Sequence, residues 1–274
     1  MNLGNFGARL LEEVPADFAC EWDNVGWSVG PLSQQLTGVM VSVDPSPEAV
    51  DVALEKNCNL LFCHHPLLFE PVKQLVESNP PQNLVLKAAR ESLGIFALHT
   101  NADACPGGLN DIYADYLDLQ ERQPVQLVAE EEPAAGLGRV GDLAETVTVR
   151  QLEKKLSTRS EISYFRRVGD PEAKVTRLAL CTGSGGELIE RPSVVESDLF
   201  ITADLKHHDV EAARARGLNL IILDHYEMEQ VFLDFARELL KKKLKVSEAI
   251  HYFERKNPYR HTVQHKFLTN REEK

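Results

Sequence analysis

Apolar and polar positions in the first part of the chain alternate with either helical or strand spacing. Residues 3–14 carry apolar side chains three and four positions apart and Pro15 follows them, which predicts a short helix. Residues 37–44 alternate with period two and predict a strand, followed by a helix as far as Glu55. Residues 59–63 form a short continuous apolar run, which is typical of a strand buried on both faces.

The same order of elements occurs again further along the chain. Residues 83–93 predict a helix with Gly94 as its C-terminal cap, and residues 95–98 predict another buried strand. The second half predicts three strands and a helix closed by glycine: 177–181, 199–202, 220–223, and a helix at about 209–216 before Gly217. One series ends at His99 and the other at His225, which favours an internal duplication of α/β units.

Breaks in the pattern predict the domain organisation. The acidic stretch 130–136, which contains proline and glycine, indicates a boundary. We therefore predict an N-terminal α/β lobe over residues 1–128 and a C-terminal α/β lobe over residues 129–260. Residues 261–274 are polar and aperiodic and are predicted to form a tail. The expected fold class is α/β, with two related lobes whose mixed sheets are flanked by helices.

Composition narrows the classes of partner. The 274 residues carry a formal net charge of -12, so the surface should repel phosphate backbones and anionic lipids, and neither nucleic acid nor a membrane is an expected partner. The five cysteines form no C-x-x-C pair, which disfavours a thiolate zinc site and a disulfide framework. A reducing compartment fits this cysteine usage, and there is neither a leader-like segment nor a membrane-spanning run, so a cytoplasmic location is expected.

The first candidate site lies where a buried strand ends, at Cys63-His64-His65-Pro66. Consecutive residues of a regular strand point to opposite faces, so His64 and His65 can reach one site only if the strand has ended. Pro66 supplies that break. The alternative is that both histidines cap the strand through hydrogen bonds.

Two further segments carry similar side chains at predicted strand ends. His99 and Asp103 follow the strand at 95–98, although an acidic residue there could also cap the next helix. His225 and Glu229 are four residues apart in a predicted helix and therefore share one face, whereas Glu227 points elsewhere. A solvated acidic first turn is the alternative for Glu229.

The three segments together indicate metal chemistry. Imidazole and carboxylate ligands without thiolates suit zinc, iron or manganese, so the expected cofactors are two divalent metal ions. A bridging carboxylate would hold such ions about 3.5–4 Å apart. Two ions can activate water near neutral pH and polarise an electrophile, which favours hydrolytic chemistry.

Other residues are weaker candidates for contact with a substrate. Three neighbours could line a pocket or form an aromatic anchor before a turn: Trp22, Asp23 and Asn24. His208 could supply a general acid or an anion contact, or lie exposed beside a helix cap at Asp209. The glycine-rich segment 183–186 could hold a phosphate or form a tight structural turn.

A set of motifs now carries a specific resemblance. The motifs are Glu21-Trp22-Asp23-Asn24-Val25-Gly26, Cys63-His64-His65-Pro66, His99-Thr100-Asn101-Ala102-Asp103 with Pro106-Gly107-Gly108, Gly136-Leu137-Gly138-Arg139-Val140-Gly141, Gly183-Ser184-Gly185-Gly186, Ile201-Thr202-Ala203-Asp204, and His225 with Glu229. In their order and spacing, over residues 1 to about 260, the chain resembles the NIF-three-like dinuclear-metal hexamer family, also labelled GTP cyclohydrolase 1 type 2.

The resemblance implies a ligand set, a fold and an assembly. The positions that match the family's two-metal ligands are His64, His65, Asp103, His225 and Glu229, with Glu229 as the bridge. His99 would lie beside them as a ligand or an outer residue. The family further implies a site in the cleft between two α/β lobes and a homohexamer. The chain departs from the family pattern at Trp27, Ala203 and Asp224, which leaves a changed substrate preference open.

Two functions follow as expectations. The first is a divalent-metal-dependent hydrolase that acts on a nucleotide or another heterocycle, in the manner of a GTP cyclohydrolase. The second is a metal-binding oligomer without enzymatic activity that serves as a metallochaperone, a regulator or an interaction scaffold. The second remains open because the sequence shows metal ligands but no evident catalytic base.

Overall fold

Two mixed sheets organise the protein, in a computed structural model that describes residues 1–160 and 162–259. The strands of the first sheet lie in the order β1-β4-β3-β2-β13, with these bounds: β1 Gly26–Val29, β2 Gly38–Ser42, β3 Leu60–Cys63, β4 Gly94–Ala97 and β13 Ala249–Tyr252. All neighbours in this sheet are parallel except β1, which runs antiparallel to β4. The first sheet is therefore mixed, with its antiparallel strand at one edge.

The second sheet is larger and also mixed. Its strands lie in the order β5-β8-β10-β11-β12-β9: β5 Leu119–Gln123, β8 Arg139–Thr148, β9 Phe165–Val168, β10 Lys174–Ser184, β11 Leu199–Ala203 and β12 Asn219–Leu223. The central strands β10, β11 and β12 are parallel, and the outer pairs are antiparallel. A separate two-stranded ladder joins β6 Gln126–Leu127 to β7 Gly136–Leu137.

Helices flank both sheets, which confirms the predicted α/β class. Their bounds are α1 Leu3–Glu13, α2 Pro47–Glu55, α3 Gln82–Arg90, α4 Thr100–Ala104, α5 Leu109–Tyr116, α6 Val149–Arg159, α7 Pro192–Val195, α8 His207–Ala215, α9 His225–Glu229 and α10 Val231–Glu238. A π-helical turn, Leu239–Lys243, extends α10. Within the two described ranges, none of the helices is both apolar enough and long enough to cross a membrane.

Strand residues alternate between two cores, which explains the continuous apolar runs. In β3, Leu60 and Phe62 face the large core shared by both sheets, whereas Leu61 faces a separate cluster with α2 and α3. In β11, Ile201 faces the shared core and Phe200 faces the cluster on the opposite side of the second sheet. Successive side chains of a strand point to opposite faces, so a strand covered on both sides is apolar throughout.

The chain passes between the two sheets more than once. Strand β5 belongs to the second sheet, and β13 returns to the first sheet beside β2. Helices α5 and α10 supply Tyr113 and Phe232 to the shared core. The Tyr113 hydroxyl donates a hydrogen bond of 3.0 Å to the carbonyl oxygen of Met228. The domain boundary at residues 128 and 129 and the duplication stay predictions.

Most predicted elements appear with small shifts in their bounds, but one capping assignment is wrong. Gly94 does not cap α3, because Ser92 takes the left-handed conformation at φ 57° and Gly94 already begins β4. Glycine is needed at position 94 for space, since a Cβ there would lie 2.8 Å from Cζ3 of Trp27. Gly217 does close its helix, with φ +79°. The predicted tail, 261–274, lies outside the described residues.

Candidate metal centre

The candidate ligands come from the carboxyl ends of strands in both sheets. His64 and His65 directly follow β3, and the backbone N–H of His65 donates to the carbonyl oxygen of Val43 at 3.0 Å. Asp103 lies in α4, which follows β4. His225 and Glu229 form the two ends of α9 after β12. The carboxyl ends of parallel strands are where α/β sheets collect ligand sites.

Three of the five candidate side chains, all histidines, lie around the carboxylate of a fourth, Glu229. Its Oε1 lies 2.9 Å from Nε2 of His225 and 3.6 Å from Nε2 of His64, and its Oε2 lies 3.0 Å from Nε2 of His65. Asp103 Oδ2 lies 3.9 Å from Nε2 of His64. The predicted ligand residues are thus close enough to one another to coordinate shared metal ions.

His99 approaches the same centre from the end of β4. One ligand atom each of His64, His65 and His99 lie within 4.8 Å of one another, and so do those of His65, His225 and Glu229. The two groups share His65. The structure therefore contains a candidate metal-binding cluster of histidine and glutamate side chains.

Each of the four imidazoles uses Nδ1 in a hydrogen bond outside the cluster. The partners are Leu98 O for His64 at 3.0 Å, Asp44 Oδ1 for His65 at 2.8 Å, Asp23 Oδ1 for His99 at 2.8 Å, and Asp204 Oδ2 for His225 at 2.6 Å. These oxygens accept, so Nδ1 carries the proton and Nε2 of the neutral ring keeps its lone pair. Carboxylate or carbonyl partners of this kind fix the tautomer of metal-ligating histidines.

Two buried atoms of the cluster lack hydrogen-bond partners among the described residues. They are Nε2 of His64 and Oε2 of Glu229, although Oε2 lies 3.0 Å from Nε2 of His65. Buried polar atoms are nearly always satisfied in folded proteins, so an unsatisfied imidazole nitrogen beside a buried carboxylate fits a site that binds a cation. The donor chemistry, imidazole with carboxylate, suits a first-row divalent ion.

The electrostatics of the cluster depend on the charge of Glu229. Burial opposes ionisation of His65, but Glu229 and Asp44 outweigh it and raise the pKa of His65 to about 10. Burial likewise opposes the charge of His225, yet Glu229 and Asp204 raise its pKa to about 9. Burial also opposes ionisation of the Glu229 carboxyl group. Its contacts with imidazoles, of which the one with His65 is the strongest, nevertheless hold its pKa well below the usual range.

Burial shifts the pKa values of two other groups of the cluster towards their neutral forms. Burial lowers the pKa of His64 to about 4, although Glu229 acts in the opposite direction. Burial, with Glu229 nearby, raises the pKa of Asp103 well above its usual range. The Thr182 hydroxyl donates a hydrogen bond of 2.7 Å to Asp103 Oδ1, which orients this carboxyl group.

The glycine-rich segment 183–186, whose first two residues end β10, lies against the cluster. Gly183 has φ +64°, and a Cβ there would lie 2.7 Å from Oε1 of Glu229. Thr182 N–H donates to Asn110 Oδ1 at 2.9 Å, so the turn is also tied to α5. Segment 183–186 spans the end of β10 and the start of a 3-10 turn, and glycine at 183 permits a close approach to a carboxylate, while phosphate binding there stays a prediction.

A cavity of about 380 Å³ opens beside the cluster. Trp22 lines it, as predicted, and so does Phe69, which the sequence analysis did not select. The Asp23 side chain is fully buried, and its contact with His99 outweighs burial and lowers its pKa to about 2. Asn24 Nδ2 donates a hydrogen bond of 2.5 Å to Leu68 O, and neither Asn24 nor His208 lines the cavity.

The departures from the family pattern have local structural roles. Trp27 packs edge-on against Phe96, with ring centroids 4.9 Å apart, and contributes to the shared core. Ala203 is buried at the end of β11. Asp224 is the N-cap of α9, where its side chain accepts a hydrogen bond of 3.1 Å from the backbone N–H of Glu227. His208 lies in the first turn of α8, where Asp209 accepts from the backbone N–H of Lys206.

Sequence reasoning gave no role to three residues that support the cluster: Asp44, Thr182 and Asp204. Asp44 and Asp204 each stand just after a strand, beyond β2 and β11, which is the same signal that identified the histidines. That signal could have found them. Nothing local marks Thr182, because its partner Asp103 is 79 residues away in the sequence.

Comparison with known proteins places the chain in a family. The pattern of the Duf34/NIF3 (NGG1p interacting factor 3) family matches residues 1–258. A GTP cyclohydrolase 1 type 2 homolog of Streptomyces coelicolor is 36% identical over 219 residues, which span 78% of this chain and 77% of that protein. A Lactococcus lactis protein with the same description is 31% identical over 244 residues, spanning 88% and 92%.

Solved structures give the same result for the fold. A Staphylococcus aureus hypothetical protein superimposes with a TM-score of 0.84 at 24% identity and covers 96% of this chain and 99% of its own. Reduced HcgD from Methanocaldococcus jannaschii superimposes with a TM-score of 0.77 at 26% identity, covering 92% and 97%. With a family pattern over almost the whole chain and a candidate His/Glu metal cluster, the protein belongs to the Duf34/NIF3 family.

Proposed function

We propose that this protein is a divalent-metal-dependent hydrolase with a dinuclear centre, acting on a nucleotide or another nitrogen heterocycle. The observation that carries the proposal is the convergence of imidazole Nε2 atoms on the buried carboxylate of Glu229, beside a cavity large enough for a small molecule. In this proposal the metal ligands are His64, His65, Asp103, His225 and Glu229, with His99 as a further ligand or neighbour. Zinc, iron and manganese are the candidate ions.

Glu229 is the proposed bridge because its two oxygens face different imidazoles. Oε1 faces His225 and His64, and Oε2 faces His65. A dinuclear centre supplies Lewis acidity and lowers the pKa of water towards neutrality. Asp44 and Asp204 retain the Nδ1 protons of their histidines, which aims both Nε2 lone pairs at the centre.

The names of the relatives suggest the first substrate to test. Two relatives are described as GTP cyclohydrolase 1 type 2 homologs. In a cyclohydrolase reaction, one water adds to the ring carbon between two nitrogens and one carbon–nitrogen bond breaks, which opens the ring to a formamide. A second water then cleaves the formamide and releases formate and an amine. The cavity beside Glu229 and His99 would hold the ring during this hydrolysis.

The experiment compares two glutamates of the same helix. The protein is loaded separately with Zn²⁺, Mn²⁺ or anaerobic Fe²⁺ and incubated with GTP, and formate and ring-opened product are measured. Glu229→Gln should lose metal and turnover together, because it removes the charge that faces three imidazoles. Glu227→Gln is the matched control, since Glu227 accepts hydrogen bonds from Ser163 and Tyr164 outside the cluster.

The alternative function predicts a different result. A metal-binding oligomer would hold metal through Glu229 yet show no turnover of GTP or of a broad panel of hydrolase substrates with any of the three metals. That result would replace the hydrolase proposal with a metallochaperone, regulator or scaffold.

We further propose a cytoplasmic homohexamer, which light scattering would show as a mass near six times the 30.7 kDa chain.

A further inference from the structure

We propose that Trp22 and Phe69 form the two walls of an aromatic slot that binds a planar nitrogen heterocycle of purine or pteridine size. This inference rests on the proposed function in one respect, because the ring is taken to be the substrate of the metal centre. It goes beyond that function by assigning the residues that recognise the ring.

Both aromatic side chains are exposed at the cavity beside the candidate metal cluster. Trp22 is 59% exposed and Phe69 is 49% exposed, and both line the cavity of about 380 Å³. Large aromatic side chains are usually buried on at least one face, so two exposed ones at one cavity indicate a surface for a ligand. The cavity volume lies within the range that small-molecule sites occupy.

The two rings share His99 as a neighbour. The centroid of Trp22 lies 6.0 Å from that of His99 with an interplanar angle of 70°, and Phe69 lies 5.5 Å away at 83°. Each aromatic ring therefore stands steeply to the same imidazole. A planar ligand that stacks on either wall would reach towards the imidazole side of the metal cluster.

Hydrogen bonds hold the backbone of both walls in place. Next to Trp22, the buried carboxylate of Asp23 accepts from His99 Nδ1 at 2.8 Å and from the Thr100 N–H at 3.0 Å. Asn24 Nδ2 donates to the carbonyl oxygen of Leu68, the neighbour of Phe69. These bonds tie the two walls to each other and to the metal centre, so little freedom is lost when a ligand binds.

The polar groups of the cavity favour a ring over a phosphate. Among the described residues that line it there is no lysine or arginine, whereas Glu187, Asp103 and Glu229 all line it. The side chains therefore offer a phosphate no arginine or lysine in this cavity, so the cations available to a phosphate would be the proposed metal ions. The exposed carboxylate of Glu187 can instead accept hydrogen bonds from ring N–H groups.

The test measures binding rather than turnover. Guanosine, adenosine and pterin, with inorganic triphosphate for comparison, are titrated into the metal-loaded full-length protein by calorimetry. Trp22→Ala and Phe69→Ala should each weaken binding of the best ring compound at least about fivefold, as stacking on a side chain predicts. Trp22→Phe should retain most of the affinity. Leu75→Ala is the control, because Leu75 is 50% exposed but does not line the cavity.

The outcomes separate this proposal from the proposed function. Failure of all three ring compounds to bind, or equal weakening by Leu75→Ala, would overturn the slot. Weakening of triphosphate by Trp22→Ala to the same extent would also overturn it, because triphosphate has no ring to stack. If ring compounds bind in a manner that depends on Trp22 but no turnover is detected, the slot would be supported and the hydrolase proposal would be contradicted. Turnover of GTP together with unchanged affinity for the ring compounds in Trp22→Ala and Phe69→Ala would support the hydrolase and overturn the slot.

Discussion

Substitution of Gly183 by alanine tests how the second sheet supports the metal centre. A Cβ at this position would lie 2.7 Å from Oε1 of Glu229, which is closer than a carbon and an oxygen can approach without displacement. Glu229 is only 3% exposed and its carboxylate contacts His65 and His225, so it can move only by giving up contacts with these imidazoles. Gly183→Ala should therefore shift the carboxylate proposed to bridge the metal ions.

Two effects of different size are expected. The φ of +64° at Gly183 lies in the left-handed region, where alanine costs about 1–2 kcal/mol of unfolding free energy. Displacement of Glu229 should in addition lower metal affinity about 10- to 100-fold, the range seen when groups that orient metal ligands are changed. The first effect concerns the backbone alone, whereas the second requires Glu229 to be a ligand.

Gly217→Ala provides the matched control. Gly217 has φ +79°, and a Cβ there would have nothing within 4 Å among the described residues, so only the backbone cost applies. Urea unfolding of the metal-free proteins should show a loss of about 1–2 kcal/mol for Gly217→Ala and at least as large a loss for Gly183→Ala, which also displaces Glu229. Competition with a chromogenic chelator should show weaker metal binding for Gly183→Ala alone. Equal metal affinity in both variants would show either that Glu229 is not a metal ligand or that its carboxylate moves away from the added methyl group without loss of metal binding.

Three further predictions concern protons, orientation and a buried ion pair. The raised pKa values of about 10 for His65 and about 9 for His225 mean that both rings are protonated at pH 7.5 without metal. Metal binding should therefore release protons. Calorimetric heats of metal binding that do not depend on the ionisation enthalpy of the buffer would contradict this proton release. Asp44→Asn should weaken metal binding about 10- to 100-fold in a chelator competition, because it removes the charged partner of His65 Nδ1, whereas Asp51→Asn should have no effect. Arg139→Met should cost about 3–5 kcal/mol in urea unfolding, because Arg139 is 2% exposed and pairs with Asp111. The partly exposed Arg177→Met should cost about 1 kcal/mol or less, and equal losses would refute the difference.

The sequence determined the central strands and the candidate ligands. Strands β3, β11 and β12 are recognisable because each is covered on both faces, which makes the run almost wholly apolar, whereas β2 is recognisable from its period-two alternation. Polar residues that end such runs must lie at one edge of a parallel sheet, so His64, His65 and His99 could be identified without a structure. The pairing of His225 with Glu229 followed from helical spacing, and these two side chains do meet.

Only the tertiary structure decided how these side chains are oriented and supported. The hydrogen bonds from His99 to Asp23 and from Thr182 to Asp103 join residues 76 and 79 positions apart, and no local pattern encodes such a pair. The same holds for the return of β13 to the first sheet and for the place of Phe69 beside Trp22. Periodicity reports which face of an element is buried, whereas the partner that covers this face depends on how the whole chain packs.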